Sequence, residues 1–292
     1  MRNAVNGEVG FDTDRYLRFQ ARALRAFMHR SRDILYIEFG GKIIHDKHSS
    51  RVLPGYREDA KFELIKLLCR DGEPIFVVSA KDILRGRIRG DFNLTYDDES
   101  IRKLNALKRR GLPVRHVVLT MVPAEHAEAP VLRDFIMRLK RKGIATYLMP
   151  VIKDYSKNKE YLHYLADTPY VPIRKKLIMI LSPGGGSGKF GVCLSQLYHQ
   201  MARGVSPRYL KFETFPVHDL PVKHPLNLAY MAASADFYDV VTKDYRHGTA
   251  TSYQRDLDNY EKLHVLARHF GTYGKHLKKI TSATHMGINM LS

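Results

Sequence analysis

Residues 176–202 read KLIMILSPGGGSGKFGVCLSQLYHQMA. After the leading lysine, a short apolar run ends at Ser182-Pro183, the pattern of a buried strand rather than of a helix. Gly184, Gly185, Gly186 and Gly188 then crowd a turn whose backbone needs conformations that other residues resist. From Lys189 to Ala202 the pattern is helical. A strand that runs through a glycine turn into a helix is a building unit of parallel α/β sheets.

The same rhythm extends outward in both directions. Upstream, residues 14–28 set Leu17, Ala21, Leu24 and Met28 at helical spacing, with Thr13 or Asp14 as cap. Strands are predicted over 34–39, 74–79, 116–122 and 144–151, with helices over 58–70, 97–110 and 130–142 between them. Near-continuous apolar strands alternating with amphipathic helices predict an α/β fold: a mainly parallel, Rossmann-like sheet covered on both faces, in three layers. Residues 153–172 interrupt the rhythm with polar residues and two prolines, as a long connection does. Downstream, 209–215 reads as one more strand with Glu213 inside it, and 225–236 as a helix rich in small residues. No strand is predicted after Asp239, and a helix over 253–270 carries Leu257, Tyr260, Leu263 and Leu266 in step. The expected division is an arm over 1–13, a Rossmann-like domain over 14–240, and the start of a second, mainly helical and incomplete domain over 241–292.

Bulk composition narrows the function classes. With 44% hydrophobic residues in 292, a sizeable core can be buried. No apolar run is long enough for a bilayer, and residues 1–13 lack the apolar stretch of a secretory signal. Cys69 and Cys193 are the only cysteines, which excludes a disulfide framework and a cysteine-rich zinc site. A cytoplasmic protein without a membrane partner is expected. The net charge of +18, from 48 basic and 30 acidic residues, has two readings: attraction to nucleic acid, anionic lipid or phosphorylated ligands, or solvated helix faces. Lys108, Arg109 and Arg110, like Arg138, Lys140, Arg141 and Lys142, fall at helix C-termini, where cations complement the helix dipole. No nucleic-acid-binding signature accompanies them.

The glycine turn is the strongest candidate site. Gly184, Gly185, Gly186, Ser187 and Gly188 let successive N–H groups converge on an anion, the helix start adds partial positive charge, and Lys189 adds a full one. The pattern departs from a Walker A loop at two places. Pro183 holds the first glycine position, and Phe190 replaces the hydroxyl that would hold Mg²⁺. A phosphate cradle is therefore expected, an ordinary magnesium-dependent P-loop is not, and a turn made only for close packing is the competing reading.

Other polar groups follow predicted strands, where open α/β sheets bind ligands. Glu38 lies at the end of the first strand, and Lys42, Asp46, His48 and Arg51 follow it. Lys81, Asp82 and Arg89 follow the second, and arginine is suited to bidentate contact with phosphate or carboxylate. Glu213 lies inside the last and Asn227 follows it. Glu38, Asp46, His48 and Glu213 are the candidates for handling protons; Lys42, Arg51, Lys81, Asp82, Arg89 and Asn227 are candidates for holding ligand. No spacing among the 14 histidines forms a metal site, and no cofactor beyond a nucleotide or phosphate is implied.

At these stretches the sequence resembles a bacterial family catalogued as domain of unknown function 1846. The resemblance lies in YIEFGGKIIHDKHSSRVLPGY at 36–56, the words at 79–82, 88–91 and 95–97, residues 183–213, HPLNLAYMAASADFYD at 224–239, YQRD at 253–256 and MGINM at 286–290. It implies an α/β fold with further domains and a glycine-rich loop, without a settled activity. Similar proteins continue past MGINM, so the resemblance implies one part of a longer protein. They carry an aspartate before Met-Gly where this chain has His285, which weakens any catalytic role there. Three functions stay open: an enzyme or enzyme remnant that binds a nucleotide or phosphorylated small molecule; a non-catalytic ligand-binding or interaction module that self-associates or takes a C-terminal partner chain; and a basic nucleic-acid-associated protein.

Overall fold

The structure is a computed structural model. It describes residues 4–5, 8–31, 33–44, 50–51, 53–89, 93–152, 161–212, 225, 252–281 and 286–288. Its centre is a parallel sheet of β1 (Leu35–Phe39), β2 (Gly72–Ser79), β3 (His116–Val122), β4 (Ala145–Pro150), β5 (Leu177–Leu181), β6 (Arg208–Phe212) and β7 (Gly287–Ile288), in the order β7-β6-β1-β5-β2-β3-β4. The alternation in the sequence thus corresponds to a Rossmann-like α/β fold followed by a helical region.

Side-chain alternation along the strands separates two cores. Leu35, Ile37 and Phe39 of β1, with Leu177, Met179 and Leu181 of β5, face one layer. That layer is made by α1 (Thr13–His29), α2 (Ala60–Leu68), α3 (Ala80–Leu84), α4 (Tyr96–Arg109) and α5 (Pro130–Arg141). Tyr36, Ile178 and Ile180 face the other. There they meet α6 (Tyr161–Ala166), α7 (Lys189–Ala202), α8 (Ser252–His269) and α9 (Lys275–Lys278). Strands buried on both faces explain why the sequence reads as unbroken apolar runs.

The strand expected over 209–215 is described over Arg208–Phe212, and 213–215, Glu213 among them, lie outside the described residues. One element departs from the sequence reading. A strand follows residue 239: β7 pairs in parallel with β6, Lys211 opposite Gly287 and Phe212 opposite Ile288. Two residues are too few to show a period of two in sequence. The helix over 253–270 is present as α8, and its Leu263, Leu266 and Ala267 pack in the same core as α7.

The strand order positions the site. β5 comes after β4 in sequence but lies between β1 and β2. Connections from β1 and β2 go to one layer and that from β5 to the other, so β5 marks a topological switch where a crevice opens at the strand ends.

Candidate functional site

The turn from β5 to α7 sits at that switch. Gly186 and Gly188 adopt φ of +76° and +86°, values that side chains resist. Gly188 also faces Thr120 of β3: a Cβ there would lie 3.0 Å from its Oγ1 and 3.3 Å from its Cγ2. Around a Cβ built on Gly185 or Gly186, by contrast, there is no atom within 4 Å. The turn is therefore closely packed at its helical end and open at its middle, where Gly185 and Gly186 are exposed.

Its carbonyls are held from below. Lys103 Nζ donates to the Pro183 carbonyl at 2.5 Å, and Thr120 Oγ1 donates to the Ser187 carbonyl at 2.6 Å. The Gly184 carbonyl accepts from Ser182 Oγ at 2.7 Å and from Lys189 Nζ at 3.4 Å. Lys189 Nζ also reaches Ser182 Oγ at 3.0 Å. By contrast, among the described residues no acceptor meets the backbone N–H of Gly185, Gly186, Ser187 or Gly188. Ser187 Oγ is buried with no hydrogen-bond partner among them either. The N–H groups of Gly185 to Gly188, which lead into the 14-residue α7, thus have no acceptor among the described residues.

Phe190 follows Lys189 and is buried, its ring edge-on to Tyr209 at 5.8 Å. The position that supplies a hydroxyl in a Walker A loop is here part of the core. Tyr209 in turn donates to Glu38 Oε2 at 2.7 Å, and both are buried. Burial, then the Glu38 carboxylate, pushes the Tyr209 phenol well above its ordinary pKa. The Cys193 thiol one turn into α7 is pushed up by burial and by Glu38, while Lys189 acts against this. Glu38 and Lys189 therefore flank the same buried region. Beside it, Lys211 on β6 pairs with Asp256 of α8, and both are buried.

The remaining candidates distribute unevenly. Asp82 is buried, but its carboxylate turns to Arg87 at 3.4 Å and its N–H to Ser79 Oγ at 3.1 Å. Lys81 and Arg51 are exposed, and Lys42 is half-buried. The backbone of Arg89 lies opposite Leu94 in the antiparallel ribbon Ile88–Arg89 with Leu94–Thr95. Asp46, His48 and Asn227, like Glu213, lie outside the described residues. Among the described residues no group of His, Cys, Asp or Glu is arranged to hold a metal ion. No helix among them is long and apolar enough to cross a membrane.

Sequence reasoning missed Lys103 and Thr120, which lie 80 and 67 residues from the carbonyls they hold. Lys103 left one local trace. With Glu99 it occupies the buried face of α4 that also carries Leu104 and Leu107, an unusual place for a charge pair at 3.3 Å. Burial alone raises the Glu99 pKa, but Arg102 and Lys103 outweigh it and hold the carboxyl below its ordinary value. Next to Lys103, a cleft of about 180 Å³ is lined by Arg102, Arg109 and Arg110 as well.

Fold and site together define a doubly wound α/β protein in which the turn from β5 to α7 lies at the topological switch. The chain belongs to the family described as "Domain of unknown function DUF1846, N-terminal", whose model matches residues 9–292. It is similar to a UPF0371 protein of Clostridium botulinum (strain Eklund 17B / Type B), 38% identical over 297 residues that cover 97% of this chain and 56% of the relative. A UPF0371 protein of Corynebacterium urealyticum is 36% identical over 97% of this chain and 57% of the relative. One of Clostridium tetani is 37% identical, with 97% and 56% covered. The chain spans about half the length of these curated relatives.

Proposed function

We propose that the turn from Ser182 to Lys189 binds the phosphate of a nucleotide or phosphorylated small molecule. One observation carries this reading. The turn's carbonyls at Pro183, Gly184 and Ser187 are held by Lys103, Lys189, Ser182 and Thr120, while the N–H groups of Gly185 to Gly188 meet no acceptor among the described residues. Converging amides at a helix start form a cradle for an anion. Lys189 can exchange its carbonyl contacts for a phosphate oxygen, which is a stronger, charge-assisted partner. Phe190 offers no metal ligand, so any magnesium would have to be held by the ligand or by carboxylates elsewhere. Glu38, bonded to Tyr209, is the acid–base group that fits beside such a ligand if turnover occurs. The free thiols of Cys69 and Cys193 accord with a cytoplasmic setting.

The test is thermal unfolding with ATP, GTP, sugar phosphates and inorganic phosphate. A ligand at one hundred times its Kd stabilises the native state by about 2.7 kcal/mol. With an unfolding entropy of about 0.6 kcal/mol/K for 292 residues, this raises Tm by about 4–5 °C. Lys189→Met is expected to lose the rise, with urea unfolding confirming that the variant folds. If no phosphate-bearing ligand shifts Tm, or the variant responds as the parent does, the turn is a packing device.

A further inference from the structure

A second feature lies on α1, away from the switch. Its buried face carries Tyr16, Leu17, Gln20, Ala21 and Leu24 against the core, while Arg15, Arg18, Arg22 and Arg25 are exposed on the other. Their spacing of three, four and three residues keeps them in one stripe along the helix. None of the four forms a salt bridge among the described residues, although the Asp12 carboxylate at the start of the helix feels the charge of Arg18 and Arg15. Phe19, 36% exposed, sits within the stripe; Arg15 lies over its ring at 5.5 Å, and Arg15, Arg18, Phe19 and Arg22 line a shallow groove. A large aromatic ring on a surface helix, framed by three arginines, is more than solubility requires.

We infer that this face of α1 binds single-stranded nucleic acid, the arginines contacting phosphates and Phe19 stacking on a base. Charge complementarity selects a polyanion, and the exposed ring selects one with flat π-faces over a lipid surface or an acidic peptide. Arg15 to Arg25 spans about 15 Å at 1.5 Å per residue. A strand laid along that length can give one phosphate to each of the four arginines. This site is independent of the phosphate turn, and either reading stands if the other fails.

The experiment is fluorescence anisotropy with labelled oligo-dT and oligo-U over a salt series, using the full chain. Four phosphate contacts give a slope of log affinity against log salt of about −2.8, or about 50-fold weaker binding between 50 and 200 mM salt. The double variant Arg18→Ala/Arg22→Ala is expected to halve the slope to about −1.4. Phe19→Ala is expected to keep the slope but weaken binding by about five- to 150-fold, the range for one lost base stack. All three positions are exposed, so the variants are expected to unfold at the parent's Tm. The inference is overturned if neither oligonucleotide binds, or if the arginine variant keeps the parent's slope. It is also overturned if heparin or anionic phosphatidylserine vesicles compete as well as oligo-dT and Phe19→Ala has no effect.

Discussion

Gly188→Ala tests the geometry of the phosphate turn most directly. Gly188 caps α7 at φ +86°, and placing a side chain in the left-handed region costs about 1–2 kcal/mol. The new Cβ would also press on Thr120 at 3.0–3.3 Å, and Thr120 is held in place by its 2.6 Å bond to the Ser187 carbonyl. Forcing that neighbour aside adds about 1 kcal/mol, within the range for overpacked sites. Against this, alanine restricts the unfolded chain and returns about 0.4–1 kcal/mol. The net loss is about 1–2.5 kcal/mol. At about 0.6 kcal/mol/K, Tm falls by about 2–4 °C. Neighbouring glycines supply the controls. Gly186→Ala has the φ of +76° but open space, so it is expected to lose about 0–1.5 kcal/mol. Gly185→Ala has neither a positive φ nor a close neighbour, and is expected to be neutral or slightly stabilising. Urea unfolding followed by far-UV circular dichroism measures all three. A Gly188→Ala protein as stable as the parent, or one more stable than Gly186→Ala, would refute the packing described for this turn.

Three further outcomes are expected. Lys103→Met removes the donor to the Pro183 carbonyl, but Glu99 keeps Arg102 at 2.6 Å. The loss in urea unfolding is therefore about 2–3 kcal/mol, below the usual range for breaking a buried pair. Glu99 itself titrates below its ordinary value of 4.5 in the folded protein, so its contribution is present above that pH. It is lost as pH falls through the lower folded value; unfolding midpoints at pH 5 and pH 3 should therefore differ less in Glu99→Gln than in the parent. A thiol reagent on the native protein is expected to modify Cys69, which is partly exposed, and to leave the fully buried Cys193 untouched until urea unfolds the chain.

Much of the fold was legible because each layer writes its own period into the sequence. HVVLTMV at 116–122 is apolar on both faces, and its strand bounds match the reading; so do those of the helix from Lys189 to Ala202. The insertion of β5 between β1 and β2 was not legible, since pairing partners leave no local mark. Gly287–Ile288 was invisible as a strand for its brevity. At the site, the glycines announced themselves, because only glycine fits φ of +76° and +86°. The groups that hold their carbonyls did not: Lys103 and Thr120 come from elements distant in sequence, and only the three-dimensional order of strands brings them under the turn. Asp82 shows the converse, a charge well placed after a strand that turns to its neighbour Arg87.

The position of β5 also bears on how the sheet is assembled. β1 and β2 have no direct pairing; each forms its ladder with β5, Leu35 and Gly72 both opposite Leu177. While the chain is made from its N-terminus, β2, β3 and β4 can gather with their helices, but β1 has no partner on that side until residues 177–181 emerge. Neither ladder of β5 can form before then, and each joins residues more than a hundred positions apart, so the facing edges of β1 and β2 stay open in any sheet formed earlier.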